Sequence, residues 1–285
     1  MAYNYEALKD AMLSMPLTEN EEIIDLSKFD LIVINSSGGK DSVCAIFEIC
    51  RLAKEQSFPF DRIHVSHQDL GKVEWEGTFD LVKEQCTFFG LQFHFSKRRN
   101  RAGYNENLLE YIERRGFFPS NTQRFCTSDF KRGPGQRVVT KLGNEYQAKN
   151  ILYVFGFRAS ESPSRKKKQV FVLNKLLTNS KRKVYDFLPI HDWTTKKVWE
   201  TIKQNKLPYH YAYKLGMPRL SCVFCIFSPL DALVVAGKEN PELLEEYVRV
   251  EKKIGHSFRQ NLSLESVQQK INEGYIPTKI EDWTM

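Results

Sequence analysis

The sequence predicts an α/β fold: a parallel, twisted sheet with helices on both faces, followed by a helical C-terminal portion. Three observations carry that expectation. Short apolar runs alternate with helical periodicities from about residue 30 to residue 156, the pattern of a parallel sheet covered on both sides. A glycine-rich turn, Ser37-Gly38-Gly39, stands directly between the first apolar run and an amphipathic stretch. Beyond Trp193 the strand-like runs stop and only helical periodicities remain.

Taken in order, residues 2–14 read as an amphipathic helix, with Tyr5, Leu8, Met12 and Leu13 near helical spacing. Asp30 to Asn35 is a buried strand that ends in the glycine turn. Ser42 to Ala53 is helical, with Val43, Ile46, Phe47, Ile49 and Cys50 on its apolar face. Arg62–His67 is a second strand, Trp75–Phe89 a helix, Leu91–Phe95 a third strand and Ile151–Gly156 a fourth. The polar, basic stretch 160–183, interrupted by Val170-Phe171-Val172-Leu173, reads as a loop or hairpin over a site. Helices are expected at about 194–205, 229–236, 240–255 and 263–273. The expected division is an α/β nucleotide-binding domain over 1–195 and a helical region over 196–285.

At 285 residues and 41% hydrophobic content the chain can bury a full core. No apolar run approaches the roughly 20 residues of a membrane span, and Met1–Glu6 lacks the features of a secretory signal. A cytoplasmic protein without a membrane partner is expected. The net charge of +7 points to a polyanionic partner, a nucleotide or a nucleic acid.

The sharpest local signal is Ser36-Ser37-Gly38-Gly39-Lys40-Asp41-Ser42. Glycines let the backbone aim several N–H groups into one concavity. The following helix adds the positive end of its dipole. Lys40 contributes a full charge, and Ser37 and Ser42 contribute hydroxyl donors. Together these residues form a phosphate site. It is not a Walker A loop, because Asp41 stands where that pattern needs Ser or Thr.

Four further motifs follow. Asp69-Leu70-Gly71 with Glu74 comes after the second strand, and Arg124 to Lys131 is a compact polar cluster around Cys126. Gly156 to Arg165 lies at a strand end, where Arg158 and Arg165 suit bidentate contacts to phosphate or sulfate, and Glu161 is either a substrate contact or a salt-bridge partner for an arginine. Asp192-Trp193-Thr194 reads chiefly as structure, Thr194 capping a helix and Trp193 packing beside it.

Ser37 to Ser42 resembles the signature of the PP-loop superfamily of adenine nucleotide alpha hydrolases. With Asp69, Arg124–Lys131, Gly156–Arg165, Leu188–Thr194 and Ser221–Phe227 in this order, the chain resembles the phosphoadenosine phosphosulfate (PAPS) reductase branch, over roughly residues 30 to 255. The resemblance implies ATP as cofactor, cleavage between the α and β phosphates, and Mg²⁺ held in part by Asp41. It implies Lys40, Asp41 and Arg158 as catalytic residues. It also implies a nucleotide site formed by Ser36, Ser37, Gly38, Gly39, Lys40, Asp41, Ser42, Asp69, Gly156, Arg158 and Arg165.

Cys222-Val223-Phe224-Cys225 is a pair spaced for one metal centre, and Cys126 is a third soft donor. These three thiols are candidate ligands of a [4Fe-4S] cluster, with Cys86 or a non-cysteine group as a fourth; Cys44 and Cys50 read as core residues. Related reductases carry a catalytic cysteine in a C-terminal tail, and no cysteine follows Cys225 here. The expected function is therefore ATP pyrophosphatase chemistry in sulfur transfer, resembling the component that activates DNA for phosphorothioate modification, with a cysteine desulfurase and other modification-system proteins as partners. A PAPS or adenylyl sulfate reductase and a non-catalytic nucleotide-sensing subunit are the alternatives. The basic runs Lys97–Arg101, Arg165–Lys168 and Lys181–Lys183, with Tyr104, Phe117 and Phe118 as stacking groups, suit a nucleic acid, DNA rather than tRNA, or an acidic partner protein.

Overall fold

The computed structural model describes residues 24–278, 280, 282 and 283; the helix expected over 2–14 lies outside the described residues. Strand β1 (Leu31–Ser36) is almost entirely buried, as a continuous apolar run between two helical layers must be. Helix α1 (Lys40–Glu55) follows it, then β2 (Ile63–Gln68), α2 (Thr78–Phe89) and β3 (Gln92–Ser96). Helices α3 (Leu108–Arg115) and α4 (Gly133–Glu145) precede β4 (Asn150–Phe155). Next come β5 (Phe171–Leu173), β6 (Lys183–Phe187) and α5 (Thr195–Gln204). Helices α6 (Leu230–Glu239), α7 (Pro241–Ile254) and α8 (Leu264–Asn272) end the order. The α/β class with a mainly parallel sheet and a helical C-terminal portion is what the sequence predicts.

The sheet order is β3-β2-β1-β4-β6-β5. β1 pairs with β4 and β4 with β6 in parallel, whereas β5 runs antiparallel to β6. The chain moves outward from β1 to β2 in one direction and returns on the other side of β1 with β4. That reversal between β1 and β4 is a topological switch point, where the loops leaving both strands open a crevice at their carboxyl ends.

Three elements are not individually located by the sequence reading, which takes the interval between Phe95 and Ile151 only as helical and irregular. β6 is hidden by the basic run Lys181–Lys183, yet Val184 and Phe187 point into the core. α3 carries a full capping box, Asn107 Oδ1 accepting from Glu110 N–H and Glu110 Oε2 accepting from Asn107 N–H, both at 2.9 Å. α4 opens on Gly133-Pro134-Gly135, which reads as a breaker, although the wide turn Ser128–Arg132 leads directly into it. The 160–183 stretch resolves into a hairpin side, β5, preceded by a short turn of helix at Pro163–Lys166.

The chain clusters into two compact units. The first comprises residues up to Ser66, Asp80–His94 and Val139–Tyr209; the second comprises His67–Phe79, Phe95–Val138 and the residues from His210 onward. The first unit's core joins Ile32, Ile34, Ile46, Ile49, Leu152 and Val154. The second unit's core gathers Trp75, Ile112, Phe118, Phe130, Leu233 and Tyr247. No helix among the described residues is long and apolar enough to cross a membrane.

Candidate functional site

In the first unit the loop leaving β1 is shaped by Gly38, whose φ of 74° lies in the left-handed region. Gly38 N–H donates to Ser36 Oγ at 3.2 Å, and Gln85 Nε2 donates to the Gly38 carbonyl at 3.4 Å. Gly39 then occupies the N-cap of α1 and supplies no side-chain cap. A helix of 16 residues thus begins at the loop with its first-turn N–H groups facing the crevice. Ser42 Oγ donates back to the Gly39 carbonyl at 2.8 Å, which stiffens the turn. Ser37 is exposed at the loop tip.

Asp41 is gripped from two sides. Lys40 Nζ lies 3.2 Å from Asp41 Oδ2, and Arg158 Nε lies 2.6 Å from Asp41 Oδ1. Lys40 and Arg158 are both 2% exposed. Two cations against one carboxylate leave one net positive charge beside the helix N-terminus, the polarity that a phosphate requires. Nη1 of Arg158 is used locally, donating to Ser160 Oγ, the Trp193 carbonyl and Thr195 Oγ1. Its backbone N–H donates to Glu161 Oε2 at 2.9 Å. Arg158 is thereby fixed on Asp41.

Gly156 explains how β4 and the loop come so close. A Cβ added there would stand 2.7 Å from the Asp41 carbonyl oxygen. Arg165 is ion-paired with Glu161, so Glu161 serves as the arginine's partner. The Arg165 guanidinium also lies 4.5 Å over the Phe157 ring, and its carbonyl is 3.0 Å from His191 Nε2. Thr194 caps α5 by accepting from Lys197 N–H at 3.1 Å, and Trp193 is buried beside it.

The second unit holds Asp69 and the three candidate thiols. Asp69 accepts from Gly71 N–H at 2.7 Å and pairs with Lys97 Nζ at 2.9 Å. Cys126 sits in a helical turn, Phe125–Thr127, that continues into a wide π-type turn, Ser128–Arg132. Such turns recur at functional sites. Cys222 is pinned by a bridge to Glu74 and by Val223 N–H donating to the Val73 carbonyl at 2.9 Å. Cys126, Cys222 and Cys225 all act electrostatically on one another and on Lys131.

Lys131 is exposed, with Cys222, Cys126, Glu74 and Cys225 in electrostatic range of its ammonium. Desolvation opposes its charge, but Cys222, Cys126, Glu74 and Cys225 outweigh that and raise its pKa. Burial pushes the Cys222 thiol up to about 12, with Lys131 pulling against it, and burial likewise raises Cys225. The donors are soft and suit iron–sulfur or zinc chemistry. Among the described residues, no three His, Cys, Asp or Glu side chains converge tightly enough for a single metal ion.

Lys131 is the functional candidate that sequence reasoning missed; its signal is the position five residues after Cys126. Cys86 is a core residue of the first unit, 1% exposed, with its thiol pushed up to about 12 by burial. Packed there, it offers no accessible ligand. Cys44 and Cys50 are buried as expected. Phe118, expected to stack on a base, is instead buried in the second core against Tyr247. Tyr104 is exposed, and Arg98 lies 4.1 Å over the Tyr111 ring while pairing with Glu106.

The chain is 29% identical over 226 residues to an uncharacterized protein of Methanocaldococcus jannaschii, covering 77% of this chain and 47% of that protein. A second uncharacterized protein of that organism matches over 41% of its length, so the chain spans less than half of these curated relatives. It is 24% identical over 224 residues to adenosine 5'-phosphosulfate reductase of Allochromatium vinosum, covering 75% of this chain and 77% of the reductase. The fold is similar to that of a Candida glabrata FMN adenylyltransferase variant, with a TM-score of 0.51 and 14% identity over 79% of this chain and 70% of the other. The family model described as the phosphoadenosine phosphosulfate reductase domain matches residues 31–228, and the chain belongs to that family, within the PP-loop superfamily.

Proposed function

We propose that this nucleotide-binding, sulfur-related enzyme is an ATP pyrophosphatase that adenylates a nucleic acid, DNA in preference to tRNA, for sulfur insertion. The observation that carries the reading is the uncapped start of α1 beside Lys40, Asp41 and Arg158, a site with net positive charge and a carboxylate held in place. In this reading Lys40 and the loop N–H groups of residues 37–42 bind the β and γ phosphates. Asp41 would help hold Mg²⁺, whose charge would favour departure of pyrophosphate. Arg158 acts through Asp41 by fixing its carboxylate, and Gly156 admits the close approach. An acceptor oxygen attacks the α phosphorus, the α–β bridge breaks, and pyrophosphate leaves; the outer sulfur of a persulfide formed by a cysteine desulfurase then attacks the activated atom, AMP leaves, and a thiol reductant splits the remaining S–S bond and leaves as a disulfide.

Cys126, Cys222 and Cys225 would hold a [4Fe-4S] cluster with one open position, which supplies a place to carry or activate sulfur. Lys131 would offset the negative charge of the thiolates. Residues 1–195 provide the phosphate end, and 196–285 contribute the Cys222–Cys225 pair. Reduced thiols fit a cytoplasmic setting.

Similarity to an adenosine 5'-phosphosulfate reductase along most of the chain favours a second reading, reduction of PAPS or adenylyl sulfate. One anaerobic assay separates the two. Pyrophosphate release from ATP and Mg²⁺ that rises with added duplex DNA is the expected result. Sulfite release from PAPS or adenylyl sulfate with thioredoxin, without pyrophosphate from ATP, would replace the first reading by the second.

A further inference from the structure

The far end of the sheet carries an edge that the nucleotide chemistry does not use. β5 is last in the strand order and, among the described residues, pairs only with β6. Its register sets Val172 opposite Asp186, while Asn174 N–H donates to the Val184 carbonyl and Leu188 N–H donates to the Val170 carbonyl. In an antiparallel ladder, hydrogen-bonded pairs alternate. Residues 170, 172 and 174 therefore bond inward, and the backbone N–H and C=O groups of Phe171 and Leu173 face outward.

The side chains on this edge are apolar and open. Val170, Phe171, Val172 and Leu173 are 37–46% exposed, and Leu176 nearby is 80% exposed. Natural edge strands are normally blunted by charge or proline within the strand, and β5 contains neither. Phe171 stacks on Tyr185 at 5.2 Å and meets Phe29 edge-on at 6.3 Å, so the strand is held ready rather than loose. The flanks are strongly basic. From Ser162 to Tyr185 the chain has eight Lys and Arg and no Asp or Glu. Lys166, Lys167, Lys168, Lys175, Lys181 and Lys183 are all exposed.

We propose that the outer edge of β5 is a docking strand for an extended segment of a partner protein that alternates apolar and acidic residues. Backbone pairing to Phe171 and Leu173 would supply register, the apolar side chains contact area, and the lysines charge complementarity. A second copy of this chain is disfavoured because its own lysines would face these. A nucleic acid would meet the lysines but leave the outward amides and the apolar side chains without partners.

The test uses the full chain and a fluorescent peptide alternating valine and glutamate, read by fluorescence anisotropy. A version N-methylated at every second residue, polyglutamate and oligothymidylate are compared. The peptide is expected to bind, with the methylated version and polyglutamate weaker by at least about tenfold. L173P removes only an outward N–H and is expected to weaken the peptide by a similar factor, with ATP binding unchanged. K166E/K167E/K168E weakens it in a salt-dependent manner. Failure of the peptide to bind, or equal binding of the methylated peptide to the unaltered protein, overturns the proposal. So does oligothymidylate binding that is lost in the lysine variant while the peptide stays unbound, which would make this a nucleic-acid surface. A dimer seen by sedimentation and abolished by L173P would assign the edge to a second copy instead.

Discussion

Gly156→Ala isolates the contact between the end of β4 and the start of α1. The added Cβ would stand 2.7 Å from the Asp41 carbonyl oxygen, 2.9 Å from its carbonyl carbon and 3.0 Å from Ser42 N. All three atoms are backbone, so no side chain can rotate away. Relief to an ordinary separation of about 3.5 Å requires the helix start to retreat by roughly 0.8 Å. Overpacking of this kind costs about 1–3 kcal/mol, which for a chain of this size lowers Tm by roughly 2–12 °C. The same shift displaces the loop N–H groups and Asp41, and a misplacement approaching 1 Å costs up to about 100-fold in a positioned site. Calorimetric titration with ATP and Mg²⁺, alongside thermal denaturation, reads both effects. Gly77→Ala is the control: φ is 78° and nothing lies within 4 Å. Its backbone strain costs about 1–2 kcal/mol, and ATP affinity should not change. Wild-type ATP affinity in Gly156→Ala, or equal weakening by both alanines, would refute the reasoning.

Other outcomes follow from named contacts. Arg158→Met leaves Asp41 to Lys40 alone and empties the bonds to Ser160, Thr195 and Trp193. Loss of one partner of a buried pair costs about 3 kcal/mol, and Mg²⁺-dependent turnover should fall about 10- to 100-fold; Arg158→Lys should recover less than half of the stability loss in urea unfolding. Anaerobically prepared protein should bind iron and sulfide, and replacing Cys126, Cys222 and Cys225 together by Ser should abolish both, whereas Cys86→Ser should keep them. His64 is buried, bonded through Nδ1 to His94 Nε2 at 2.9 Å, and its Nε2 has no hydrogen-bond partner among the described residues. Desolvation chiefly, with repulsion from His94, depresses its pKa from 6.5 to about 4. Folding therefore favours the neutral ring: this contribution is intact above pH 6.5 and is lost as pH falls through about 4. His64→Phe should flatten the decline of Tm between those values.

The legible parts of the fold are those with strong local signals. β1 and α1 could be read because a fully apolar strand meets two glycines and then a helical stripe. The C-terminal helices were legible from period alone. β6 was not, because three basic residues at its start look like a solvated loop, and only its pairing to β4 reveals a strand. In the site, Lys40 and Asp41 are local to the motif, but the grip of Arg158 on Asp41 joins residues 117 apart in sequence. Gly156 stood out as a strand end, although its reason, the Asp41 carbonyl, is a tertiary one. Lys131 was passed over because a lysine in a polar cluster reads as surface; its standing comes from thiols contributed by Cys126 and by a segment some 90 residues later. Cys86 shows the opposite error, a soft donor whose helix face turns it into the core.

The most direct test of the central claim is to incubate the purified protein with ATP and Mg²⁺ and separate the nucleotide products. With no nucleic acid present and water taking the adenylyl group, the account predicts AMP and pyrophosphate in equal amounts, with both lost in Lys40→Ala and in Asp41→Ala. ADP with inorganic phosphate, or product formation unchanged by those two substitutions, would contradict it.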